Sequence, residues 1–381
     1  MNIAFLTPEF PHPKTGKAGG IGTSILNLSE ALSSLGHHVT VFVYGQDKDD
    51  YFVENNIHYH KIKNIKVKGL SLILTLKKVE RLINKLHDSG KLDIVEAPDW
   101  TGFTAFVSPV CPLVLRLHGT DTYFCHLERR AVKLKNKFLE KRALEQAKGI
   151  ISVSNYTGQL TNELFALNNN YTVIPNGVDV NIFEPKQSNS NKLIILYFGT
   201  LIRKKGLLDL PEIFNIVHKS NKEVTLLLVG KDSGDVKTGS PSTWKLMQPL
   251  FDKSAIKKVR YLGAVPYAKI QDLINDATIC VFPTFAEALP VSWLEAMAME
   301  KAIVASNIGW ANEMIEDGKE GFLVHPTHHK VYAARILELL DNANKRREFG
   351  KAAREKVLKQ FSHDLVAKRS VEFYKNILET C

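Results

Sequence analysis

Cysteine is scarce in this sequence, and the cysteines that occur are not paired. They stand at positions 111, 125, 280 and 381, and none belongs to a Cys-x-x-Cys motif. Because zinc sites and redox dithiols depend on closely spaced thiols, the sequence predicts neither. Few and unpaired thiols are typical of a protein kept in a reducing cytosol.

Long apolar runs are also lacking. The strongest run, residues 70–76, is far shorter than the ~18–20 residues that a transmembrane helix needs. Residues 1–9 have no basic segment followed by an apolar one, so they do not resemble a signal peptide. We therefore expect a cytoplasmic protein, and attachment to the inner face of a membrane stays open.

The composition is otherwise that of a globular protein with more basic than acidic residues. The chain has 381 residues, of which 44% are hydrophobic and 24% charged. At about 150 residues per domain, this length predicts roughly two domains. The 50 Lys and Arg against 40 Asp and Glu give a net charge of +10. That excess indicates an anionic partner: nucleic acid, a membrane surface or a phosphorylated substrate.

Short β-branched runs alternate with helical patterns, which predicts an α/β fold with parallel sheets covered on both faces. The first predicted strands are residues 3–7, 39–44, 94–97, 114–118, 150–154 and 171–174. After a polar, linker-like segment at 184–191, a second set follows at 193–198, 224–229, 259–262, 279–282 and 302–305. We expect two doubly wound, Rossmann-like domains, residues 1–180 and 192–362, followed by a C-terminal helical segment, 363–381.

The first candidate phosphate site is the loop Gly19-Gly20-Ile21-Gly22, between the first strand and the first helix. Glycines there allow close approach of a ligand, and a helix N-terminus offers N–H groups to an anion. The dinucleotide fingerprint Gly-x-Gly-x-x-Gly is incomplete because Ile25 stands at its third glycine position. A flexible crossover turn is the alternative interpretation.

A similar glycine-containing loop follows the first predicted strand of the second domain. Gly199 precedes the basic run Arg203-Lys204-Lys205, and Gly230 follows the next strand end. Such cations can hold a diphosphate, and strand ends are where open α/β sheets bind ligands. A solvated loop is the alternative.

Two acids lie close together in the segment 283–298. Pro290 favours a helix start, which places Glu287 in the preceding loop and Glu295 on the helix. A fully helical interval would separate them by about 12 Å, whereas glycosidase carboxylates stand roughly 5–9.5 Å apart. They are better suited to hold two ends of an elongated ligand. A capping acid and a surface acid are the alternative.

Polar residues also follow two strands of the first domain. His118 closes the predicted strand 114–118, and Asp99 follows the strand 94–97. Either position suits chemistry at a sheet edge, and a structural role is the alternative for both. Asp47-Lys48-Asp49-Asp50 has an Asp-x-Asp spacing, but its polar loop favours a solvated turn over a metal site.

In this order, the motifs resemble the retaining glycosyltransferases of family 4, which have the GT-B fold of two domains facing a cleft. The resemblance covers almost the whole chain. It rests on Gly19-Gly20, Leu117-His118-Gly119, the run from Val173 to Asp179, Lys205-Gly206, Tyr261-Leu262-Gly263, the Glu-x7-Glu element from Glu287 to Glu295, Glu313, Asp317-Gly318 and the run from Gly321 to Val324.

The resemblance implies a nucleotide-sugar donor, UDP- or GDP-linked, held mainly by the second domain. Lys205, with Arg203, would neutralise the departing diphosphate. Glu295 would bind the ribose, Glu287 would contact the donor sugar, and His118 would lie beside the anomeric centre. The further donor positions are Gly19, Gly20, Gly230, Val265, Leu289 and Val291. Asp99 is an acceptor-side candidate, the last helix would cross back to the first domain, and neither a bound metal nor a cofactor is implied.

Two positions depart from the family pattern. Thr200 stands where many relatives have Arg, so one diphosphate cation is missing or is supplied by Arg203. Pro290 replaces the usual Gly before the helix, and a ligand bond through its amide is absent because proline has no N–H.

The family implies transfer to a hydroxyl of a saccharide or a lipid-linked saccharide, in cell-surface polysaccharide or glycolipid assembly. Two basic segments bear on a lipid acceptor: the helical pattern 72–86, and residues 128–148 with eight Lys and Arg against three Glu. Basic amphipathic helices can lie on an anionic membrane surface. A core-packed helix with a solvated basic face is the alternative.

Other functions remain as alternatives. An NAD(P)-dependent oxidoreductase is disfavoured by the incomplete glycine fingerprint and by the Glu-x7-Glu element. A non-catalytic nucleic-acid-binding protein is disfavoured because no zinc-finger spacing or RNA-recognition signature is present, so we expect no nucleic-acid partner. A non-catalytic sugar-binding protein of the periplasm would need an export signal.

Overall fold

The chain folds as two compact units. The computed structural model describes residues 1–16, 19–186 and 192–380, so the linker positions 187–191 and Cys381 lie outside the described residues. Unit 1 comprises residues 1–177 together with the segment from His363 onward, and unit 2 comprises residues 178–362. The chain therefore leaves unit 1 once and returns to it through its last helix.

Unit 1 is built on a sheet of eight described strands, seven of them in parallel register. They are β1 (Asn2–Thr7), β2 (His38–Gln46), β3 (Asp50–Glu54), β4 (Ile57–Lys63), β5 (Ile94–Pro98), β6 (Leu113–Leu117), β7 (Gly149–Ser152) and β8 (Thr172–Val173). Their order is β3-β4-β2-β1-β5-β6-β7-β8, and only β3 pairs antiparallel, with β4. Asn55 and Asn56, both with positive φ, form the two-residue turn of that hairpin.

Helices cover both faces of this sheet. They are α1 (Gly20–Ser34), α2 (Ser71–Asp88), α3 (Asp121–Leu127), α4 (Leu134–Gln146), α5 (Asn155–Phe165) and, after the seven helices of unit 2, α13 (His363–Thr380). Residues of β1 alternate between two cores: Ile3 and Phe5 pack with α1 and α13, whereas Ala4 and Leu6 pack with α2 and α4. This period of two is the side-chain alternation of a strand covered on both sides.

A buried polar network ties α13 to the sheet. Arg116 on β6 donates two hydrogen bonds to the Glu96 carboxylate on β5, at 2.7 and 3.0 Å. Arg116 also donates to Ser370 Oγ at 3.1 Å, and the Tyr374 hydroxyl donates to Glu96 at 2.6 Å. Because all four side chains are buried, each polar group needs its partner, and α13 is held in one position.

Unit 2 contains a second, fully parallel sheet. Its described strands are β9 (Ile194–Phe198), β10 (Thr225–Val229), β11 (Val259–Tyr261), β12 (Ile279–Phe282), β13 (Ile303–Ala305) and β14 (Gly321–Leu323), in the order β11-β10-β9-β12-β13-β14. Its helices are α6 (Leu210–Ser220), α7 (Thr243–Met247), α8 (Ile270–Asp276), α9 (Val291–Ala298), α10 (Ala311–Met314), α11 (His329–Asp341) and α12 (Ala343–Gln360). The consecutive residues 195–198 of the central strand are all buried, as in a sheet covered on both faces.

The predicted α/β class with two doubly wound, Rossmann-like units is confirmed. The predicted strands are present with ends shifted by one or two residues, and His118 lies just beyond β6 rather than at its end. The sequence analysis missed β3, β4 and β14. The first two form a hairpin whose β3 is exposed and does not alternate apolar and polar residues, and β14 has only three residues.

Candidate active site

An ion pair joins two loops at the carboxyl-end edge of the unit 2 sheet. Lys205 Nζ lies 2.7 Å from Glu287 Oε1, with the side chains 20% and 16% exposed. Gly206, with φ +74°, lets the Lys205 turn contact the loop after β12, since a Cβ there would overlap the carbonyl of Pro283. The amide of Phe285 also donates to the Lys204 carbonyl at 2.8 Å. The chain thus holds a cation and a carboxylate side by side above β9 and β12.

Glu295 lies on α9, one helix further along the same edge. The Tyr267 hydroxyl donates to Glu295 Oε1 at 2.6 Å. Burial raises the pKa of the Glu295 carboxyl to about 7, while the Tyr267 hydrogen bond and the charge of Lys205 act in the opposite direction. Lys205 is therefore close enough to influence both acids of the Glu-x7-Glu element. Pro290 stands at the N-cap of α9, with Glu287 in the loop before it.

Arg203 is engaged by an acid that the sequence analysis did not single out. Its guanidinium donates to both oxygens of Asp235, each at 2.7 Å. The hydrogen bonds from Arg203 hold the pKa of Asp235 well below its usual range, and Thr238 donates to the same carboxylate. Asp235 lies 32 residues from Arg203, and no local pattern connects the two.

Two strand-end glycines bring backbones together beside this cluster. Gly199 and Gly230 have φ of +140° and +142°, and a Cβ on Gly230 would overlap the carbonyl of Gly199. The Tyr261 hydroxyl donates to the Gly230 carbonyl at 2.9 Å, and the Tyr197 hydroxyl donates to that of Thr200 at 3.0 Å. At the edge above β9 and β10 the backbones of Gly199 and Gly230 therefore lie close together, held by two tyrosine hydroxyls.

The apolar donor candidates occupy two places in unit 2. Val265 is half-buried in the segment after β11. Leu289 and Val291 are buried, in the loop before α9 and at its first residue. They lie on the segments that also carry Tyr267, Glu287 and Glu295.

In unit 1, the N-terminus of α1 already meets a carboxylate. The amides of Gly19 and Gly22 donate to Glu9 Oε1 at 2.9 and 3.1 Å. Gly20 is exposed, and a Cβ on it would meet open space. The sequence analysis missed Glu9, although an acid ten residues before a glycine-rich helix start is compatible with capping from a loop.

His118 and Asp99 lie together at the carboxyl-end edge of the unit 1 sheet. The His118 amide donates to Asp99 Oδ1 at 2.9 Å, while Asp99 Oδ2 is buried with no partner among the described residues. Burial lowers the pKa of His118 to about 3 and raises that of Asp99 to about 8. Near pH 7 both groups are therefore mainly uncharged.

The acidic loop before β3 is occupied by lysines. Asp47 pairs with Lys61 at 3.1 Å, and Asp49 pairs with Lys78 at 2.6 Å. Within residues 1–16, 19–186 and 192–380, no group of three His, Cys, Asp or Glu side chains is arranged to hold a metal ion.

Comparison with known families decides the identity of this two-unit chain. Residues 18–182 match the model described as Glycosyltransferase Family 4, and residues 179–356 match Glycosyl transferases group 1. Between them, the two models span nearly the whole chain in order. The chain is a glycosyltransferase of family 4.

Similar proteins align over full length. Alpha-maltose-1-phosphate synthase of Mycolicibacterium smegmatis is 25% identical, over 99% of this chain and all of that protein. Sucrose-phosphate synthase from Thermosynechococcus elongatus superposes with a TM-score of 0.80 at 19% identity, covering 100% of both chains. Anabaena HepE in complex with UDP and glucose has a TM-score of 0.74 at 20% identity, covering 98% of this chain and 99% of that one. These structures share the GT-B fold with this glycosyltransferase.

Among the described residues, no helix combines the length and the hydropathy of a membrane span.

Proposed function

We propose that this glycosyltransferase is a retaining enzyme that moves a sugar from a UDP- or GDP-sugar to a hydroxyl group. The observation that carries the proposal is the Lys205–Glu287 ion pair, whose cation also acts on the buried Glu295. A cation beside two carboxyl groups matches a diphosphate flanked by two sets of hydroxyls, the sugar and the ribose. Arg203, Gly230, Val265, Leu289 and Val291 complete the proposed donor site. Because HepE was crystallised with UDP and glucose, UDP-sugars are the first donors to test.

The proposed reaction breaks the bond between the anomeric carbon and the diphosphate oxygen and forms one to the acceptor oxygen on the same face. The acceptor proton passes to the departing diphosphate, so no protein nucleophile is needed. Negative charge grows on the diphosphate as the bond breaks, and Lys205 stabilises that charge more in the transition state than in the ground state. The loss of such a contact typically costs about 100-fold or more in rate.

We assign the acceptor side to unit 1. His118 is neutral near pH 7, and Asp99 is mainly protonated, because both are buried. Neutral donors and acceptors suit hydrogen bonding to sugar hydroxyls without attracting a second anion. Gly19 and Gly20 are the proposed phosphate contacts of this unit, and a phosphate on the Gly19 amide would have to replace the Glu9 carboxylate. The proposed acceptor is a saccharide or a lipid-linked saccharide of a cell-surface polymer or glycolipid.

A nucleotide-release screen tests the donor site. UDP- and GDP-sugars are offered to the wild type and to Lys205→Ala and Glu287→Gln. We expect turnover to fall about 100-fold in each variant, whereas Lys204→Ala, which changes the neighbouring lysine, stays within about threefold. Unchanged turnover in both site variants contradicts the assignment. Determination of the product anomer by NMR tests the stereochemistry, and an inverted linkage overturns the retaining mechanism.

A further inference from the structure

Two groups of large apolar side chains are exposed on unit 1. The α2 patch consists of Val67, Leu70, Ile73 and Leu74, with Leu70 51% and Ile73 52% exposed. The α4 patch consists of Leu134 and Phe138, which are 83% and 61% exposed. Contiguous apolar side chains of this kind on the surface mark interaction sites.

These side chains are not needed for the core. The stripe of α2 that packs on the sheet consists of Leu76, Val79 and Ile83, and that of α4 includes Leu139 and Leu144. Both basic segments therefore include a helix that packs one side on the core, as the alternative interpretation of these segments predicted. The two patches lie outside those stripes, at the N-terminal end of each helix.

Both patches lie at one edge of unit 1. Ile65, two residues beyond β4, donates its amide to Thr75 Oγ1 at 2.9 Å, so residues 67–74 lie beyond the carboxyl end of that strand. Asn136 donates to Asp121, near the carboxyl end of β6, at 3.0 Å. The two helices cover the same face, and β4 and β6 are four strand spacings apart, roughly 19 Å. The same edge carries Asp99 and His118.

The two sequence segments that carry the patches contain basic residues and no acid. Residues 63–78 contain five lysines and no acid, and residues 129–137 contain five Lys and Arg and no acid. Lys77 and Lys78 are paired with Glu80 and Asp49, and Arg130 is paired with Asp121 and Glu128. Within the described parts of the chain, Lys66, Lys68 and the exposed lysines of 133–137 have no ion-pair partner. Exposed aliphatic side chains among unpaired lysines complement a surface that is apolar beneath and anionic on top.

We propose that the α2 patch and the α4 patch together dock unit 1 on the anionic surface of a lipid bilayer. A plane that touches both patches lies along the edge that carries Asp99 and His118, where a lipid-linked acceptor would be presented. That last point rests on the proposed function, whereas the docking itself does not. Nucleic acid is a poorer match because five of the six apolar side chains are aliphatic, and single strands are bound by stacking on aromatic rings.

Vesicle co-sedimentation of the full chain at low salt tests the proposal. We expect binding to phosphatidylcholine vesicles that contain phosphatidylglycerol, little binding to phosphatidylcholine alone, and release as salt is raised. Leu70→Ser/Ile73→Ser and Leu134→Ser/Phe138→Ser should each weaken the partition coefficient about tenfold. Lys66→Glu/Lys68→Glu should weaken it at least as much, since it reverses two charges.

Matched controls lie in unit 2. Val331→Ser/Leu358→Ser removes two apolar side chains of similar exposure, and Lys330→Glu/Lys351→Glu reverses two exposed lysines. Both should bind vesicles within about twofold of the wild type. All variants should keep the wild-type nucleotide release with a water-soluble acceptor, which shows that they are folded and separates this proposal from the proposed function.

Three results would overturn the docking proposal. They are no binding of the wild type to anionic vesicles, equal losses in the patch and control variants, and tighter binding to DNA that the patch variants abolish. If vesicle binding holds while every donor is refused, the proposed function fails and the docking stands.

Discussion

The carboxyl-end edges of the two sheets differ in charge: one carries charged side chains and the other carries buried side chains that favour their neutral forms. In unit 2, Lys205 and Arg203 are charged, partnered by acids and partly open to water. In unit 1, His118 and Asp99 are buried, and burial shifts the pKa of each toward its neutral form. The same strand–loop architecture therefore gives a charged edge where side chains keep some water and a neutral edge where they do not. A charged edge suits a diphosphate, and a neutral edge suits hydroxyl groups.

The largest expected effect is on the free energy of unfolding and contrasts an ion pair buried on both sides with one whose arginine is partly exposed. Arg116→Met leaves Glu96 as a buried, unpaired charge, which should lower the free energy of unfolding of unit 1 by about 3–5 kcal/mol. Arg203→Met removes a side chain that is 37% exposed and leaves Asp235, which is 2% exposed. Because Thr238 still donates two hydrogen bonds to that carboxylate, the cost should be smaller, about 1–2 kcal/mol. Urea unfolding of both variants measures the difference, and similar losses would contradict the contrast between the units.

Glu295 should make the stability of unit 2 depend on pH. Its pKa rises from 4.5 unfolded to about 7 folded, so its contribution is present below pH 4.5 and is lost as pH rises through 7. Glu295→Gln removes this titration and should stabilise the protein by about 3 kcal/mol at pH 8, but by less than about 1 kcal/mol at pH 5. Denaturant midpoints at the two pH values test this. A gain that is equal at both would show that Glu295 is not the titrating group.

His118 should give unit 1 the opposite dependence. Its folded pKa of about 3 lies below the unfolded value of 6.5, so the stability present above pH 6.5 is lost as pH falls toward 3. Between pH 7 and pH 5 the contribution of His118 should fall by about 2 kcal/mol. Asp99, whose pKa is raised to about 8, titrates in the opposite direction in both proteins, so the effect of His118 is the difference between the wild type and His118→Asn. Thermal unfolding of both proteins across this range measures the effect. An unchanged pH profile in the variant would mean that His118 is already solvated.

The smallest expected effect is on UDP affinity and tests whether the charged edge of unit 2 extends to the loop at Gly199. Thr200→Arg adds a cation beside Gly230 and should tighten UDP binding about tenfold. The control is Thr238→Arg, which places the new charge next to Asp235 instead. Calorimetric titration with UDP distinguishes the two. No gain with Thr200→Arg would place the diphosphate away from the Gly199 loop.

Much of the fold could be predicted because it depends on local patterns. The alternation of apolar strands and helices located β1, β2 and β5–β13 and predicted the fold class. The hairpin of β3 and β4 was missed because β3 is exposed and its residues do not alternate cleanly, although Asn55-Asn56 is a recognisable turn signal. The motifs also led to the family, since their order along the chain is specific even where each is weak.

The partners of the site residues could not be predicted in the same way. No residue pattern links Arg203 to Asp235, because that contact forms only when the loops after β9 and β10 meet at the sheet edge. Glu9 and Gly19 belong to the one connection between β1 and α1, and no spacing rule pairs them. The α2 patch and the α4 patch were not predicted either, because the exposure of a side chain depends on how its helix packs. The helical pattern of residues 72–86 contains Leu76, which is buried, but it does not show that Ile73, outside the pattern, is 52% exposed.

The sequence by itself determined the α/β class, the repeated strand–helix architecture and the glycosyltransferase family, because periodicity and motif order are properties of the chain. Only the tertiary structure decided which charged side chains form ion pairs and which titratable groups are shifted toward their neutral forms. Lys205 faces Glu287 because Gly206 allows two loops to touch, and burial shifts the pKa values of His118 and Asp99 toward their neutral forms. Ionisation depends on the surroundings that folding creates, so no residue pattern specifies it in advance.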